Sequence, residues 1–250
     1  MSSTDRYTTR DVLDAETVAV TQARERFGDD TVRLTPEQAD AAMDVFAVAA
    51  GFALSEQQRA VVTRLLTGGN GIDTVVGVAG AGKSTLMDAC RIAWDATGTT
   101  YAGACLSAVG AQGLTDASAI PARTVASWLQ RIASGEGLTG VDVLVLDEAV
   151  MTDDRSAAKL LTEAARTGTQ VLAIGDPLQL QAVGVGGWFR RCTAWSAASP
   201  SRRTGASATP PSGRRWRSGA PGTTAGRWNC SRPPNACTRR PPPTRPAPRC

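Results

Sequence analysis

The chain contains no histidine, which excludes a histidine-dependent nuclease, a histidine-ligated zinc site and a histidine-containing catalytic dyad within its 250 residues. It also lacks an apolar run of about 18 residues, the length that a membrane-spanning helix needs, and its N-terminus has no apolar signal core. We therefore expect a soluble, unsecreted, cytoplasmic protein without a membrane partner. The six cysteines show no metal-site spacing, and Cys90 and Cys105 lie in helix-like and strand-like segments, as small buried residues do.

Lysine and acidic residues are missing from residues 190–250, and so are the larger aliphatic side chains of Val, Leu, Ile and Met. This segment has 13 Arg and 11 of the 14 Pro, whereas residues 1–189 carry 14 basic and all 23 acidic residues, a net charge of −9. The overall charge of +4 therefore describes neither part. A segment without aliphatic side chains has almost nothing to bury against the entropy of ordering it. We expect a folded part that ends at Phe189, followed by a disordered tail.

The folded part contains a glycine-rich loop at residues 77–84 that fits the phosphate-binding pattern G-x-x-x-x-G-K-[ST] and directly follows an apolar run. Its glycines let the backbone wrap around a triphosphate and point N–H groups at it. In this pattern Lys83 reaches the β- and γ-phosphates, and Ser84 holds Mg²⁺. The loop predicts a site for ATP and Mg²⁺. The predicted nucleotide-binding residues of this segment are Gly77, Gly80, Gly82, Lys83, Ser84 and Thr85.

Two further patterns place polar side chains after strand-like runs. The apolar run 143–146 ends in Asp147, which is placed to bind Mg²⁺, and Glu148, which is placed to orient the attacking water. The run 170–174 leads to Gln179, whose neutral amide can hydrogen-bond the γ-phosphate or the water. The alternatives are acids that favour a helix N-terminus and a plain Gly-Asp-Pro turn. The predicted catalytic residues are Lys83, Asp147, Glu148 and Gln179.

Helices and strands alternate along residues 1–189. Thr35 with Gln38, and Ser55 with Gln58, form capping boxes that predict two helix starts. Apolar strand-like runs follow, separated by stretches long enough for helices. Such alternation predicts an α/β domain, a parallel sheet with helices on both faces and a ligand site at the carboxyl ends of the strands. The strand-like runs are residues 74–78, 100–104, 141–146 and 170–174.

The ordered motifs of residues 5–189 resemble a known family, the RecD-like branch of superfamily-one helicases, and within it the helicase part of MobF-type conjugative relaxases (the TraA/TraI kind). Residues 54–58, Leu-Ser-Glu-Gln-Gln, are similar to an element that precedes the loop in this family, which makes Gln58 the expected adenine contact beside its capping role. Residues 103–114 resemble the DNA-contacting element of the family, and residues 124–129 its threonine-containing successor.

This resemblance implies a RecA-like P-loop ATPase at residues 51–189, helicase domain 1A, after a helical lead-in at residues 1–50. The intact protein would couple Mg-ATP hydrolysis to translocation on single-stranded DNA and work with other conjugation proteins. Nothing here corresponds to the relaxase module, so DNA nicking is not assigned. The second RecA-like domain, which supplies arginine fingers, cannot be residues 190–250. Because such fingers contribute a thousandfold or more in rate, we expect ATP binding with weak hydrolysis and no unwinding.

Two interpretations of residues 190–250 stay open. The excess of 25 Arg over 2 Lys suggests a GC-rich gene. One choice of GC-rich synonymous codons, regrouped by one base from Arg191, can give a peptide with aliphatic residues and an arginine-rich stretch resembling the next motif of the family. That interpretation is a reading-frame change after about residue 190. The other is a nucleic-acid-binding arm that uses arginines and Trp195, Trp216 and Trp228, and so a non-catalytic binding protein. A fragment of a RecD-type repair helicase is a further alternative.

Overall fold

In the computed structural model, which describes residues 9–77, 82–176 and 187–198, five short strands form one sheet. Their order in the sheet is β1-β5-β4-β2-β3, and all neighbouring strands are parallel. The predicted α/β class with a parallel sheet is therefore confirmed. In chain order the strands are β1 (Ile72–Val76), β2 (Tyr101–Cys105), β3 (Ala122–Thr124), β4 (Val143–Leu146) and β5 (Gln170–Gly175).

Helices cover both faces of the sheet. The two predicted capping boxes are confirmed, because Thr35 Oγ1 accepts from the N–H of Gln38 at 3.2 Å and Ser55 Oγ accepts from that of Gln58 at 3.3 Å. A short 3-10 helix, Ala149–Met151, follows β4. The α-helices are α1 (Arg10–Glu25), α2 (Pro36–Ala50), α3 (Glu56–Thr67), α4 (Lys83–Thr97), α5 (Ala108–Ser118), α6 (Val125–Ala133), α7 (Asp154–Thr167) and α8 (Trp188–Ala198). None of these helices is long and apolar enough to cross a membrane.

The hydrophobic core has two parts, one on each face of the sheet. In β4, Val143 and Val145 belong to the part that α2, α3, α4 and α5 cover, while Leu144 and Leu146 belong to the part covered by α1, α6, α7 and α8. All four side chains are at most 1% exposed. Each such side chain contributes about 1.5–3 kcal/mol when removed from water. Burial on both faces explains why β4 is continuously apolar instead of alternating.

The sheet includes one strand that the sequence analysis did not identify. The four predicted runs correspond to β1, β2, β4 and β5, with ends that differ by at most two residues. Strand β3 has only three residues, Ala-Arg-Thr, without an apolar run. It pairs with β2 at Gly103, where an added Cβ would lie 2.7 Å from both Ala122 Cβ and Leu114 Cδ2. This close approach depends on glycine, so the strand forms through its neighbour rather than through its own pattern.

Helix α8 runs through residue 190, where the sequence analysis places the end of the folded part. Trp188, Phe189 and Cys192 are 1–2% exposed and belong to the core. The indole N–H of Trp188 donates to the carbonyl of Thr152 at 3.1 Å. The helix therefore buries aromatic and sulfur-containing side chains in place of aliphatic ones. It continues to Ala198, beyond the change in amino-acid composition at residue 190.

The helical lead-in predicted at residues 1–50 contains α1 and α2, which pack on opposite faces of the sheet. Arg155 of α7 donates through Nε to Asp11 of α1 at 2.7 Å, and Glu16 of α1 pairs with Arg191 of α8 at 2.6 Å. Helix α2 contributes Met43 to the core part shared with α4. The lead-in is thus part of the same core as the sheet.

Candidate active site

Three of the predicted functional segments follow adjacent strands. The glycine-rich loop follows β1, the segment leading to Gln179 follows β5, and Asp147 follows β4. These strands are neighbours in the order β1-β5-β4 and all parallel, so their carboxyl ends meet at one edge, about 4.8 Å apart from strand to strand. The N–H of Gly77 donates to the carbonyl of Gly175 at 3.2 Å, which ties the start of the loop to the end of β5.

The glycine-rich loop ends at Gly82, which is the N-cap of α4 in the left-handed region, with φ of 75°. No side chain among the described residues caps this helix, and its first helical bond runs from the N–H of Leu86 to the carbonyl of Gly82 at 3.0 Å. The N–H groups of the first turn are therefore available to an anion, and the helix dipole favours one there. Gly80 lies outside the described residues.

Gln58 lies against the end of the loop. An added Cβ on Gly82 would be 2.8 Å from Gln58 Nε2 and 3.7 Å from Thr85 Oγ1. The other amide atom, Gln58 Oε1, accepts from the N–H of Ser55 at 2.9 Å. The capping bond thus leaves the NH₂ group beside the loop, and the capping role coexists with a position next to the expected nucleotide. A side chain on Gly82 would fill this space.

Lys83, Ser84 and Thr85 form the first turn of α4, directly after Gly82. Lys83 and Thr85 are half-buried, and Ser84 is exposed. The structure therefore brings the ammonium group, two hydroxyl groups and the free helix N–H groups to the same end of one helix. Ammonium and N–H donors suit phosphate, and a hydroxyl oxygen suits Mg²⁺, so the residues present fit the predicted Mg-ATP.

Asp147 and Glu148 stand where β4 ends. The N–H of Asp147 donates to the carbonyl of Ala104 in β2 at 3.0 Å, which extends the β2–β4 pairing by one residue. Asp147 Oδ1 accepts from the N–H of Glu148 at 2.9 Å, and Glu148 itself has φ of 52°. A non-glycine residue in this region costs about 1–3 kcal/mol, and such strain is often found at functional sites. The exposed Glu148 carboxylate and the half-buried Asp147 are both open to ligands.

Cys105 is buried, as its strand-like segment predicts, and it is also a neighbour of these acids, which its sequence position does not indicate. Cys105 is the last residue of β2 and is 2% exposed. Burial, with a further contribution from the charges of Asp147 and Glu148, raises the pKa of its thiol to about 12. The thiol is therefore neutral, and it lies close enough to both acids to sense their charges. No sequence pattern indicates this proximity, which depends on the β2–β4 pairing.

The segments expected to contact DNA lie at the same sheet edge, after β2 and β3. Ser107 Oγ accepts from the N–H of Gly110 at 3.0 Å and caps α5, and Thr124 Oγ1 accepts from that of Ser127 at 3.1 Å and caps α6. Val109, on the first turn of α5, is 83% exposed. The two segments are thus adjacent to each other, and the first lies next to β4 through the pairing of β2 with β4. Gln179 lies outside the described residues, so its position is not assigned.

Comparison with known proteins agrees with this arrangement. The family model described as an AAA domain matches residues 53–201, more than half of the chain. The chain belongs to the AAA domain family. The match begins just before Leu54 and the capping box of α3, and includes β1 to β5 and α8. A phosphate-binding loop in such a domain implies nucleotide binding with Mg²⁺, while the roles of Lys83 and Ser84 stay predictions.

The chain is also similar to proteins of conjugal transfer. It is 38% identical over 138 residues to the "Probable conjugal transfer protein TraA" of Sinorhizobium fredii (strain NBRC 101917 / NGR234). The same identity over the same length relates it to the "Conjugal transfer protein TraA" of Rhizobium radiobacter and to that of Agrobacterium fabrum (strain C58 / ATCC 33970). Each match spans 55% of this chain and 12% of the length of the relative. The predicted resemblance to TraA-type proteins is confirmed, while the reading-frame change after residue 190 stays a prediction.

Proposed function

We propose that this chain is the ATP-binding motor domain of a conjugative DNA helicase, helicase domain 1A. In the intact protein it would couple Mg-ATP hydrolysis to translocation along single-stranded DNA. The observation that carries the proposal is the end of the glycine-rich loop, where Gly82 has a positive φ and Gln58 Nε2 lies beside it. The TraA relatives support the conjugative role over that of a repair helicase.

In this proposal the nucleotide binds at the N-terminal end of α4. The free N–H groups of the first turn and the Lys83 ammonium would hold the phosphates, and Gln58 would contact the adenine. Gly77, Gly80 and Gly82 would allow the backbone to approach the phosphates closely, and Thr85 would line the site after Ser84. The half-buried position of Lys83 supports this role, because partial removal from water strengthens its attraction to phosphate.

Hydrolysis would be assisted from the ends of β4 and β5. Ser84 and Asp147 would hold Mg²⁺, which neutralises the charge on the phosphates, and Glu148 would orient and polarise the attacking water. Gln179 would hydrogen-bond the γ-phosphate and respond to its loss. The hydrogen bond from the N–H of Asp147 to the carbonyl of Ala104 supports a coupling of hydrolysis to DNA binding. Ala104 lies in β2, which leads into the segment expected to contact DNA.

The chain by itself is expected to bind ATP, hydrolyse it weakly and not unwind DNA. Arginine fingers from a second motor domain contribute about a thousandfold or more to the rate in such ATPases. Residues 190–250 have no aliphatic side chain with which to build that domain. The matched relatives are far longer than the shared segment, so the remaining motor parts and the conjugation partners belong to the proposal for the intact protein.

The chain has two lysines, and they provide a matched test. Lys83 lies at the proposed phosphate site, and Lys159 is exposed on α7. We expect Lys83→Ala to abolish binding of a fluorescent ATP analogue in the presence of Mg²⁺, and Lys159→Ala to bind like the unmodified protein. Equal affinity of Lys83→Ala and Lys159→Ala for the analogue would contradict a phosphate role for Lys83.

A second candidate function is non-catalytic nucleic-acid binding by residues 190–250. The 13 Arg and the absence of acids in this segment favour it. The alternative is the reading-frame change, and resequencing the gene across the codons for residues 185–195 distinguishes the two. One additional base that restores an open frame with aliphatic residues supports the frame change. The sequence as printed, together with DNA binding that is lost when this segment is deleted, supports the basic arm.

A further inference from the structure

A groove runs along the outer edge of the sheet beside β3, between α5 and α6. It consists of two adjoining hollows of about 540 and 320 Å³ that share Gln112, Thr115, Ala122 and Arg123. The larger hollow extends to Arg131 and the smaller one to Ser127. We name it the edge groove. Its remaining lining residues are Ala102, Ala108, Ala111, Pro121, Thr124, Trp128 and Val141.

Two arginines of the edge groove are held on one tryptophan. The guanidinium carbons of Arg123 and Arg131 lie 5.9 and 5.6 Å from the centroid of the Trp128 ring. Trp128 is 3% exposed, and its indole N–H donates to the carbonyl of Gly103 at 2.9 Å. A ring that is fixed in this way pre-organises both guanidinium groups, which suits them to recognise phosphate oxygens.

Both arginines retain free donors. Among the described residues Arg123 makes no ion pair, and its side chain is exposed. Arg131 pairs through Nη1 with Glu136 at 2.9 Å, but its Nε is buried and has no hydrogen-bond partner within the described part of the chain. Guanidinium N–H groups that are already oriented and not yet bonded favour an anionic ligand.

The charge around the edge groove also favours an anion. Residues 1–189 carry a net charge of −9, but residues 96–140 contain two acids and two arginines and are neutral overall. One of the acids, Asp116, accepts from Gln112 at 2.7 Å, and the other, Glu136, pairs with Arg131. A polyanion therefore meets less repulsion here than over the acidic remainder of the folded part.

The free edge of β3 is poorly suited to a peptide strand. The N–H of Ala122 donates to Thr115 Oγ1 at 3.2 Å, so one backbone donor that a pairing strand would need is already bonded. One end of the groove overlaps the segments expected to contact DNA, because Gln112 belongs to the first segment and Thr124 and Ser127 belong to the second. A nucleic-acid strand that crosses those segments can thus continue into the groove without leaving the surface.

We propose that the edge groove binds the sugar-phosphate backbone of single-stranded DNA, with Arg123 and Arg131 contacting phosphates. The proposal rests on the proposed function and extends the DNA path from the carboxyl edge of the sheet down its outer side. Each phosphate contact on a single strand contributes about 0.7 to the slope of log affinity against log salt concentration. Loss of Arg123 alone should therefore reduce this slope by about that amount.

The test compares arginine modification in the full chain with and without a saturating 20-nucleotide oligo-dT. Phenylglyoxal modifies exposed arginines, and mass spectrometry of peptides reports each position separately, so binding by residues 190–250 does not obscure the result. We expect oligo-dT to slow modification of Arg123 at least fivefold and to leave Arg33, an exposed arginine paired with Asp30, unchanged. An Arg123→Ala variant should show the reduced salt slope, and an Arg33→Ala variant should not.

Unchanged modification of Arg123 under saturating oligo-dT overturns the edge groove as a DNA site. Protection of Arg123 by an acidic peptide but not by oligo-dT overturns it as well, in favour of a protein ligand. Binding of the fluorescent ATP analogue by the same preparation distinguishes failure of the edge groove from failure of the motor proposal. If analogue binding still depends on Lys83, the motor proposal stands without the groove, and if it does not, the motor proposal fails on its own measurement.

Discussion

Gln58 Nε2 lies 2.8 Å from the position that a Cβ atom would occupy on Gly82. The same side chain is held by its Oε1, which accepts from the N–H of Ser55 at 2.9 Å. The capping box of α3 therefore fixes an amide donor at the end of the phosphate-binding loop, more than twenty residues further along the chain. A local helix signal and a proposed nucleotide contact are thus two roles of one glutamine.

A Gly82→Ala variant is expected to lose nucleotide affinity by roughly tenfold or more, because the left-handed backbone disfavours any Cβ and this one would also meet Gln58. Gly98 provides the control, since it has a similar φ of 69° at the end of α4 but no atom within 4 Å of an added Cβ. Gly98→Ala should lower the free energy of unfolding by about 1 kcal/mol and keep the affinity. Titration with a fluorescent ATP analogue and urea unfolding measure the two effects, and equal affinities for the two variants would contradict the prediction.

The features predicted correctly from the sequence depend on short stretches of chain. The capping boxes at Thr35 and Ser55 need residues three positions apart, and four consecutive apolar residues are enough to predict β4. Parallel strands then bring their carboxyl ends to one edge, so the neighbourhood of Lys83 and Asp147 follows from the fold class.

The features that were not predicted depend on contacts between distant residues. Strand β3 requires Gly103 to admit Ala122, and the proximity of Cys105 to Asp147 requires the pairing of β2 with β4. The continuation of α8 to Ala198 does not follow from the content of aliphatic side chains, because this helix buries Trp188, Phe189 and Cys192 instead.

Glu148→Gln is expected to bind Mg-ATP within about twofold of the unmodified protein and to lower the residual hydrolysis by roughly a hundredfold or more, because the amide cannot polarise the attacking water. Single-turnover assays with radiolabelled ATP detect the weak basal rate. Glu25→Gln, at an exposed position at the end of α1, is the matched control and should hydrolyse normally. Hydrolysis by Glu148→Gln at the rate of Glu25→Gln would remove Glu148 from the catalytic residues.

Three buried thiols are expected to resist alkylation in the folded protein. Burial raises the pKa of Cys90, Cys105 and Cys192 to about 12 in each case, from an ordinary 9.0. At pH 8 these thiols should react with iodoacetamide at least a hundredfold more slowly than in urea, because both thiolate and access are lacking. Peptide mass spectrometry reports each site, and labelling of Cys105 at its urea rate would contradict burial of this thiol.

The same pKa shifts predict a pH dependence of stability. The folded state favours the neutral thiol, so the stabilising contribution is fully present below about pH 9 and is lost as the pH rises from there towards 12. The urea concentration at the midpoint of unfolding should therefore be lower at pH 10.5 than at pH 8. A Cys90→Ala variant should show a smaller decrease than the unmodified protein.

Asp154→Ala is expected to destabilise the protein by about 2 kcal/mol. The Asp154 carboxylate is 1% exposed, and its Oδ1 accepts from the N–H groups of Gly187 at 2.9 Å and Trp188 at 3.0 Å. It therefore anchors the start of α8 from the first turn of α7, and its removal leaves the buried N–H of Trp188 and the half-buried N–H of Gly187 without this acceptor. Asp154→Asn keeps an oxygen at this place and should lose about half as much.

Helix α8 also connects the Asp154 carboxylate to the proposed nucleotide site. An added Cβ on Gly175 would lie 3.2 Å from Phe189 Cζ, and the carbonyl of Gly175 accepts from the N–H of Gly77. Loosening α8 should therefore weaken nucleotide binding in Asp154→Ala more than in Asp154→Asn, at a temperature where both are folded. Urea unfolding gives the stability and titration with the ATP analogue gives the affinity. A loss of stability with unchanged affinity would confine Asp154 to holding the helix, because the contact through Phe189 would then not affect the loop.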